Sequence, residues 1–385
     1  MDNARDIEFY WRGNKVIRTM LMFFLSLCTL LSGCGVNKQE FILNQLDVSK
    51  IPDCYEANRN IFGEFTGCVF KCGDIIFYSQ YTYKQQKYEP RSSDGLYITD
   101  GTGSSNYKLA DGIICSIVVR EDGVYYLKRN EKGKVYLYNW DLYRYSFETG
   151  KSELIISDCT SVQYSEDSVY YCRQYLGDKR FYIEHGLPLD LDNEGKIVKH
   201  SLLTGEEELI AQVEGGIYNF LVADGIIAFS GGGGNAYEGG QDIYICSLDG
   251  SGLQKLTKNA QGYINIKYAD NRCLIYSDTA GYHRMALDTE EVVWSYPWEK
   301  LDQIGALAPV ALDGDLFFCM KDSQYLYDKI IRLDTGKDFD AISLIDAPQL
   351  SKSLYVFAGK LYASDYKYTP GMSGPAGVLK EVIYK

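Results

Sequence analysis

Apolar and polar positions alternate along this chain in short runs, and Gly, Asp or Asn separates one run from the next. A period of two is what a half-buried strand requires, because successive side chains point to opposite faces of a sheet. Seven phrases share the pattern: KCGDIIFYS, REDGVYYLK, SEDSVYYCR, VADGIIAFS, YADNRCLIYS, ALDGDLFFC and VFAGKLYAS. Their turn residues, Gly73, Gly123, Ser168, Gly225, Asn271, Gly314 and Gly359, follow one another at intervals of 43 to 57 residues. Asp-Gly and its relatives suit a tight hairpin, since its turn needs positive φ. Each phrase is therefore expected to form strands a and b of one repeated unit.

A second punctuation falls inside six of the units, at Gly101, Gly150, Gly205, Gly250, Thr289 and Gly336. The surrounding segments, such as LYRYSFETGKSELI and IYICSLDGSGLQKL, read as c and d hairpins. Four strands in about 45 residues, with long amphipathic helices absent from the pattern, predict an all-β fold: a β-propeller of seven four-stranded blades. Six or eight blades also fit, since the third unit is long and the fifth short. The seventh unit supplies a, b and a candidate c, VLKEVIYK, but no candidate d strand. A gap in the ring would expose two sheet edges. The segment Phe41 to Phe65, through FILNQLDV or IFGEFTG, is expected to fill it and close the ring.

Residues 1–33 read as an export signal. Arg12, Lys15 and Arg18 lead into the apolar stretch Met20 to Leu31, too short for a permanent span. Leu31-Ser32-Gly33-Cys34 resembles the lipobox of bacterial lipoproteins, and the resemblance implies cleavage before Cys34 and diacylation of its thiol. Residues 34–40 would then be the lipidated cysteine and a short tether, and 41–385 a single propeller domain. An uncleaved signal anchor, a secretory signal with a chance cysteine, and a start at Met20 or further downstream remain open alternatives. The expected place is the bacterial cell envelope, extracytoplasmic, with the membrane reached through lipid on Cys34.

The charge balance narrows the partners. Without residues 1–33 the chain holds 35 basic against 49 acidic side chains, a net of −14, which excludes nucleic acid as a natural partner. A monomer is expected. Of 11 cysteines, nine remain beyond Cys28 and Cys34. Cys172, Cys246, Cys273 and Cys319 sit inside apolar strand phrases and read as small core hydrophobes. Cys68 and Cys72 in CVFKC would lie roughly 13 Å apart along a strand, too far to share one metal ion.

Ile243 to Thr257, IYICSLDGSGLQKLT, resembles the blade motif of bacterial Tol-system propellers. Tyr362-Ala363-Ser364-Asp365 and Ile275-Tyr276-Ser277-Asp278 resemble the Tyr-Trp-Thr-Asp signature of low-density-lipoprotein-receptor-related propellers. The whole resembles an uncharacterised bacterial lipoprotein family with a propeller of that type. The resemblance implies fold and placement and brings no catalytic residues.

Recognition is expected on the variable b–c loops, which range from a few residues near Thr279 to Tyr282 to more than twenty between Arg173 and Lys196. They carry Tyr81, Tyr83, Tyr88, Tyr136, Tyr138, Trp140, Tyr175, Tyr182, Tyr237, Tyr366 and Tyr368, rings able to stack on a sugar or anchor a protein. The same rings could simply stiffen strands and long hairpins. The three histidines, His185, His200 and His283, lack metal-binding spacing, and GxSxG is absent. The sequence is therefore read as non-catalytic, binding a protein or glycan ligand without a cofactor. The alternatives are a structural part in envelope assembly and a glycan-acting enzyme. Asp190, Asp192 and Glu194 imitate the first half of a calcium loop, but Ser201 stands where its last carboxylate belongs, and a plain turn accounts for them as well.

The anchor has a direct check. Cys34→Ala should move the protein from the membrane fraction to the soluble fraction and abolish labelling by radioactive palmitate. Retention on membranes would contradict lipid attachment.

Overall fold

Inner strands of this chain are buried on both faces and outer strands on one, and that gradient follows from sheets standing side by side around an axis. A computed structural model describes residues 46, 47, 49, 51, 69–80, 94–99, 106–130, 140–165, 167–173, 194–223, 225–232, 241–257, 262–304, 309–320, 329–333, 342–346, 354–357, 360–363 and 380–383. The chain divides into Met1–Leu46 and Asp47–Lys385. Of the first unit only Leu46 is described, so the export signal, Cys34 and the tether lie outside the described residues.

Six sheets are four-stranded antiparallel meanders. Blade one holds β1 (Val69–Cys72), β2 (Ile75–Gln80), β3 (Gly95–Thr99) and β4 (Asn106–Asp111). Blade two holds β5 (Ile114–Arg120), β6 (Gly123–Arg129), β7 (Trp140–Ser146) and β8 (Ser152–Cys159). Blade three holds β9 (Ser161–Ser165), β10 (Ser168–Arg173), β11 (Glu194–Ser201) and β12 (Glu207–Glu214). Blade four holds β13 (Gly216–Ala223), β14 (Ile226–Gly232), β15 (Asp242–Ser247) and β16 (Gln254–Lys255). Blade five holds β17 (Asn265–Ala269), β18 (Cys273–Ser277), β19 (Gly281–Ala286) and β20 (Val292–Pro297), followed by a short helix, α1 (Trp298–Ile304). Blade six holds β21 (Val310–Leu312), β22 (Asp315–Met320), β23 (Lys329–Leu333) and β24 (Ile342–Asp346).

The last repeat forms β25 (Leu354–Phe357), β26 (Lys360–Ala363) and β27 (Lys380–Glu381), a three-stranded sheet. The expected seven four-stranded blades are thus corrected to six. The seventh repeat falls short because VLKEVIYK gives one short strand and no fourth strand pairs with it among the described residues. Apart from residues 46, 47, 49 and 51, the segment expected to supply that strand, Phe41 to Phe65, lies outside the described residues.

Apolar seams join neighbouring sheets. Leu127 and Leu142 of blade two pack with Val162 and Tyr171 of blade three. Ile197 and Ile210 of blade three meet Ile217 and Phe229 of blade four, whose Leu221 and Ile243 meet Ile266 and Tyr276 of blade five. Ile275 and Tyr282 pack with Phe318 and Ile331 of blade six, and Phe317 and Ile330 with Val356 and Leu361 of the last sheet. Lys71 Nζ stands 5.7 Å from the ring centre of Tyr362, bringing the last sheet against the first. Strand b is covered on both sides by such seams, so every residue of β2 and of β18 is buried. The seven free cysteines described sit in these sheets, and burial pushes the thiols of Cys159, Cys172 and Cys319 up to about 12, leaving them neutral and inert.

The c–d turns separate conformation from contact. Gly205 (φ +74°) has open space where a Cβ would stand, whereas at Gly250 (φ +79°) a Cβ would overlap the backbone carbonyl of Ile210 in blade three. Gly205→Ala should cost about 1–2 kcal/mol for the left-handed backbone alone, and Gly250→Ala roughly 1–3 kcal/mol more for the overlap. Urea denaturation measures both, and equal losses would contradict the blade-to-blade contact.

Burial, first among the causes, raises the phenols of Tyr78, Tyr125, Tyr126 and Tyr276 from 10.0 to about 12. Above pH 10 the unfolded chain gives up protons that the folded protein keeps. Stability is therefore full below that pH and falls as pH rises towards 12. The melting temperature should drop over that window, and unfolding there should add a step of phenolate absorbance from these buried rings beyond that of the exposed tyrosines.

Candidate functional site

The b–c turn of blade five is the tightest described connection of its kind, and its geometry begins with Asp278. Directly after β18, its Oδ1 accepts the backbone N–H of Ala280 at 2.7 Å and of Gly281 at 3.3 Å, an Asx turn that needs no long loop. The Asp278 N–H donates to the Gly281 carbonyl at 3.0 Å. Trp298 Nε1 donates to the Asp278 carbonyl at 2.7 Å, and its ring packs on Tyr282 with centroids 4.9 Å apart.

This turn aims the carboxylate at His283. Asp278 Oδ1 lies 2.9 Å from His283 Nε2, and His283 Nδ1 lies 2.7 Å from Ser295 Oγ. His283 and Ser295 face each other across β19 and β20, so the sheet itself sets their distance. A carboxylate only accepts, so Nε2 carries the ring proton, and Nδ1 is left to accept from the Ser295 hydroxyl. Tyr276 stands beside the imidazole, ring centres 5.1 Å apart, and burial together with Asp278 keeps its phenol protonated. His283 and Asp278 retain 14% and 19% of their side-chain exposure, so a small group can reach them.

The facing wall belongs to blade four. Asn219 Oδ1 takes the Ile266 N–H and Gln241 Oε1 the Ile264 N–H, both at 2.8 Å. Ser230 lies opposite Asn219 in register, and Ile243, opposite Ser230, packs with Tyr276. Ser230 Oγ and Gln241 Nε2 are buried without a hydrogen-bond partner among the described residues. Both walls thus bring polar groups to the b–c end of one seam. Carboxylate, imidazole and hydroxyl in series are the arrangement that lets a ring nitrogen draw a proton from an alcohol.

Few of the sequence-derived site residues can be compared with it. Tyr81, Tyr83, Tyr88, Tyr136, Tyr138, Tyr175, Tyr182, Tyr237, Tyr366, Tyr368, Asp190 and Asp192 lie outside the described residues. Trp140, expected in a loop, is the first residue of β7, paired with Arg129 and packed beside the seam of blades two and three. Glu194, expected in a turn, begins β11 opposite Glu214, because the c strand starts earlier than the sequence pattern indicated. Among the described residues no three metal-ligating side chains come together, and no helix is long and apolar enough to cross a membrane. Sequence reasoning missed Asp278, His283, Ser295 and Trp298 as a group; the scarcity of histidine and the short turn after Ile275 to Asp278 were the available signals.

No protein-family model matches the chain, and no curated protein matches it. Among solved structures it is similar to a prolyl endopeptidase at 10% identity, covering 93% of this chain and 55% of that one, with a TM-score of 0.50. It is also similar to the propeller domain of the trilobed protease from Pyrococcus furiosus, at 14% identity over 81% of this chain and 97% of that one, TM-score 0.46. An oligogalacturonate lyase in complex with manganese is similar at 13% identity, over 76% and 87%, TM-score 0.46. Identities this low show the fold alone. The expectation of a non-catalytic binding protein is corrected on that ground: the fold is shared with a chain that is an enzyme, the prolyl endopeptidase, so neither the fold nor a missing GxSxG favours a non-catalytic protein.

Proposed function

We propose that this chain is a lipid-anchored enzyme of the bacterial envelope, with acyl-transfer chemistry carried by Ser295, His283 and Asp278. The observation behind the activity is His283 held between a carboxylate and a hydroxyl, at 2.9 and 2.7 Å. Ser295 Oγ attacks the carbonyl carbon of an ester or amide while its proton passes to His283 Nδ1. The imidazolium, steadied by Asp278, returns that proton to the leaving group, and water then releases the acyl group from Ser295. The placement is supported by the lipobox-like Leu31 to Cys34 and by the resemblance of the whole chain to a bacterial lipoprotein family. The closing strand of the last sheet is assigned, in this reading, to Phe41 to Phe65.

A second reading is favoured by the Trp298 to Asp278 hydrogen bond: the same network clasps the b–c turn of blade five to α1. One experiment separates the two. A fluorophosphonate probe should label the wild-type protein, Ser295→Ala should remove the label, and His283→Gln should slow labelling by about 10²–10⁴-fold with little change in melting temperature. Absence of label on the folded wild type, with His283→Gln only lowering the melting temperature, would sink the catalytic reading in favour of the clasp.

A further inference from the structure

We infer that the outer rim of blades three to five, at its c–d end, is a docking surface for a cationic, apolar-studded segment of another protein. The inference is independent of the chemistry assigned to His283, which lies at the opposite, b–c end. Aliphatic side chains stand in water there without any packing role: Leu203 is 77% exposed, Leu209 54% and Val293 58%, with Leu253 and Val292 beside them. Single exposed leucines are ordinary, but a run of them across adjoining blades marks a contact surface.

Two contacts show that the run is continuous. The turn at Gly250, three residues before Leu253, abuts the backbone of Ile210, next to Leu209. On the other side the Gln254 amide bonds to the Glu290 carboxylate, two residues before Val292. The rim therefore passes from β12 through the c–d turn of blade four to the start of β20.

Charge selects the occupant. Residues 202–209, 248–255 and 287–293 hold seven carboxylates against one cation, Lys255, which is already paired with Asp242, while on neighbouring strands Lys199 lies opposite Glu208 and acts on Asp249. The carboxylates of Glu208, Asp288 and Glu291 have no hydrogen-bond or ion-pair partner among the described residues, whereas that of Glu207 accepts from Tyr171 and pairs with Arg173. Unneutralised carboxylates interleaved with leucine and valine repel an anionic lipid surface and an acidic protein alike. They complement a segment in which lysine or arginine alternates with aliphatic residues, the cations steering approach and the aliphatic contacts holding it.

The test uses the full chain and a labelled synthetic peptide of alternating lysine and leucine. Binding should appear by fluorescence anisotropy, weaken with added salt, and fall about tenfold in the double variant Leu209→Ser with Val293→Ser. Glu208→Lys with Glu291→Lys should weaken it as much, and a glutamate–leucine peptide should not bind. No binding, or binding that the serine substitutions leave untouched, would overturn the inference, the latter revealing polycation attraction alone. Tighter association of the rim with phosphatidylglycerol vesicles than with the peptide, lost in the same serine variant, would overturn it in favour of lipid. All four positions are exposed, so unchanged melting temperatures keep the comparison clean.

Discussion

Every blade here is a sheet with two apolar faces, and neither can be left to water. Burying both requires a neighbour on each side, a demand that a row of sheets meets at all but its ends and a ring meets everywhere. Leu221 and Ile243 have somewhere to go only because Ile266 and Tyr276 stand opposite, and Tyr282 only because Phe318 does. At about 25 cal/mol per Å² of apolar surface, such seams dominate the stability of the fold. The tight a–b turns, the buried neutral tyrosines and the inert thiols are consequences of packing sheets face to face.

The same constraint locates chemistry. A seam is apolar in its middle, so polar side chains collect where it reaches an end. Between blades four and five that end holds Asn219, Gln241 and Ser230 on one wall and Asp278, His283 and Ser295 on the other. The rigid register of β19 and β20 sets the His283 to Ser295 distance, which a mobile loop could not do. Outer strands face the opposite situation: with one side in water, they are free to carry glutamate beside leucine.

Much of the architecture was legible because it is written in local terms. Asp-Gly pairs with alternating apolar residues encode hairpins within ten residues, and the interval between them encodes the repeat. The last sheet was overcounted because VLKEVIYK reads as a full strand while its pairing depends on a partner elsewhere. Trp140 was assigned to a loop because aromatic residues favour strands and exposed loops alike, and only pairing with Arg129 decides. α1, seven residues long, is too short to show a helical period. The polar network was invisible for a different reason: His283 and Ser295 are twelve residues apart, and a bulge between Arg284 and Met285 shifts which residues oppose each other.

Lys71 over Tyr362 carries a consequence for how the molecule assembles. The apolar seams join repeats that follow one another along the chain, so each can form as soon as its two repeats exist. The contact between first and last sheets joins residues nearly three hundred positions apart. By the logarithmic dependence on loop length, bringing such distant ends together from a flexible chain costs only about 1.7 kcal/mol more than closing a single repeat's span. Successive blades remove even that difference, since by the time the last sheet forms the intervening chain is already curved and its ends are neighbours. Assembly from one blade to the next thus leaves circular closure as a late and inexpensive event.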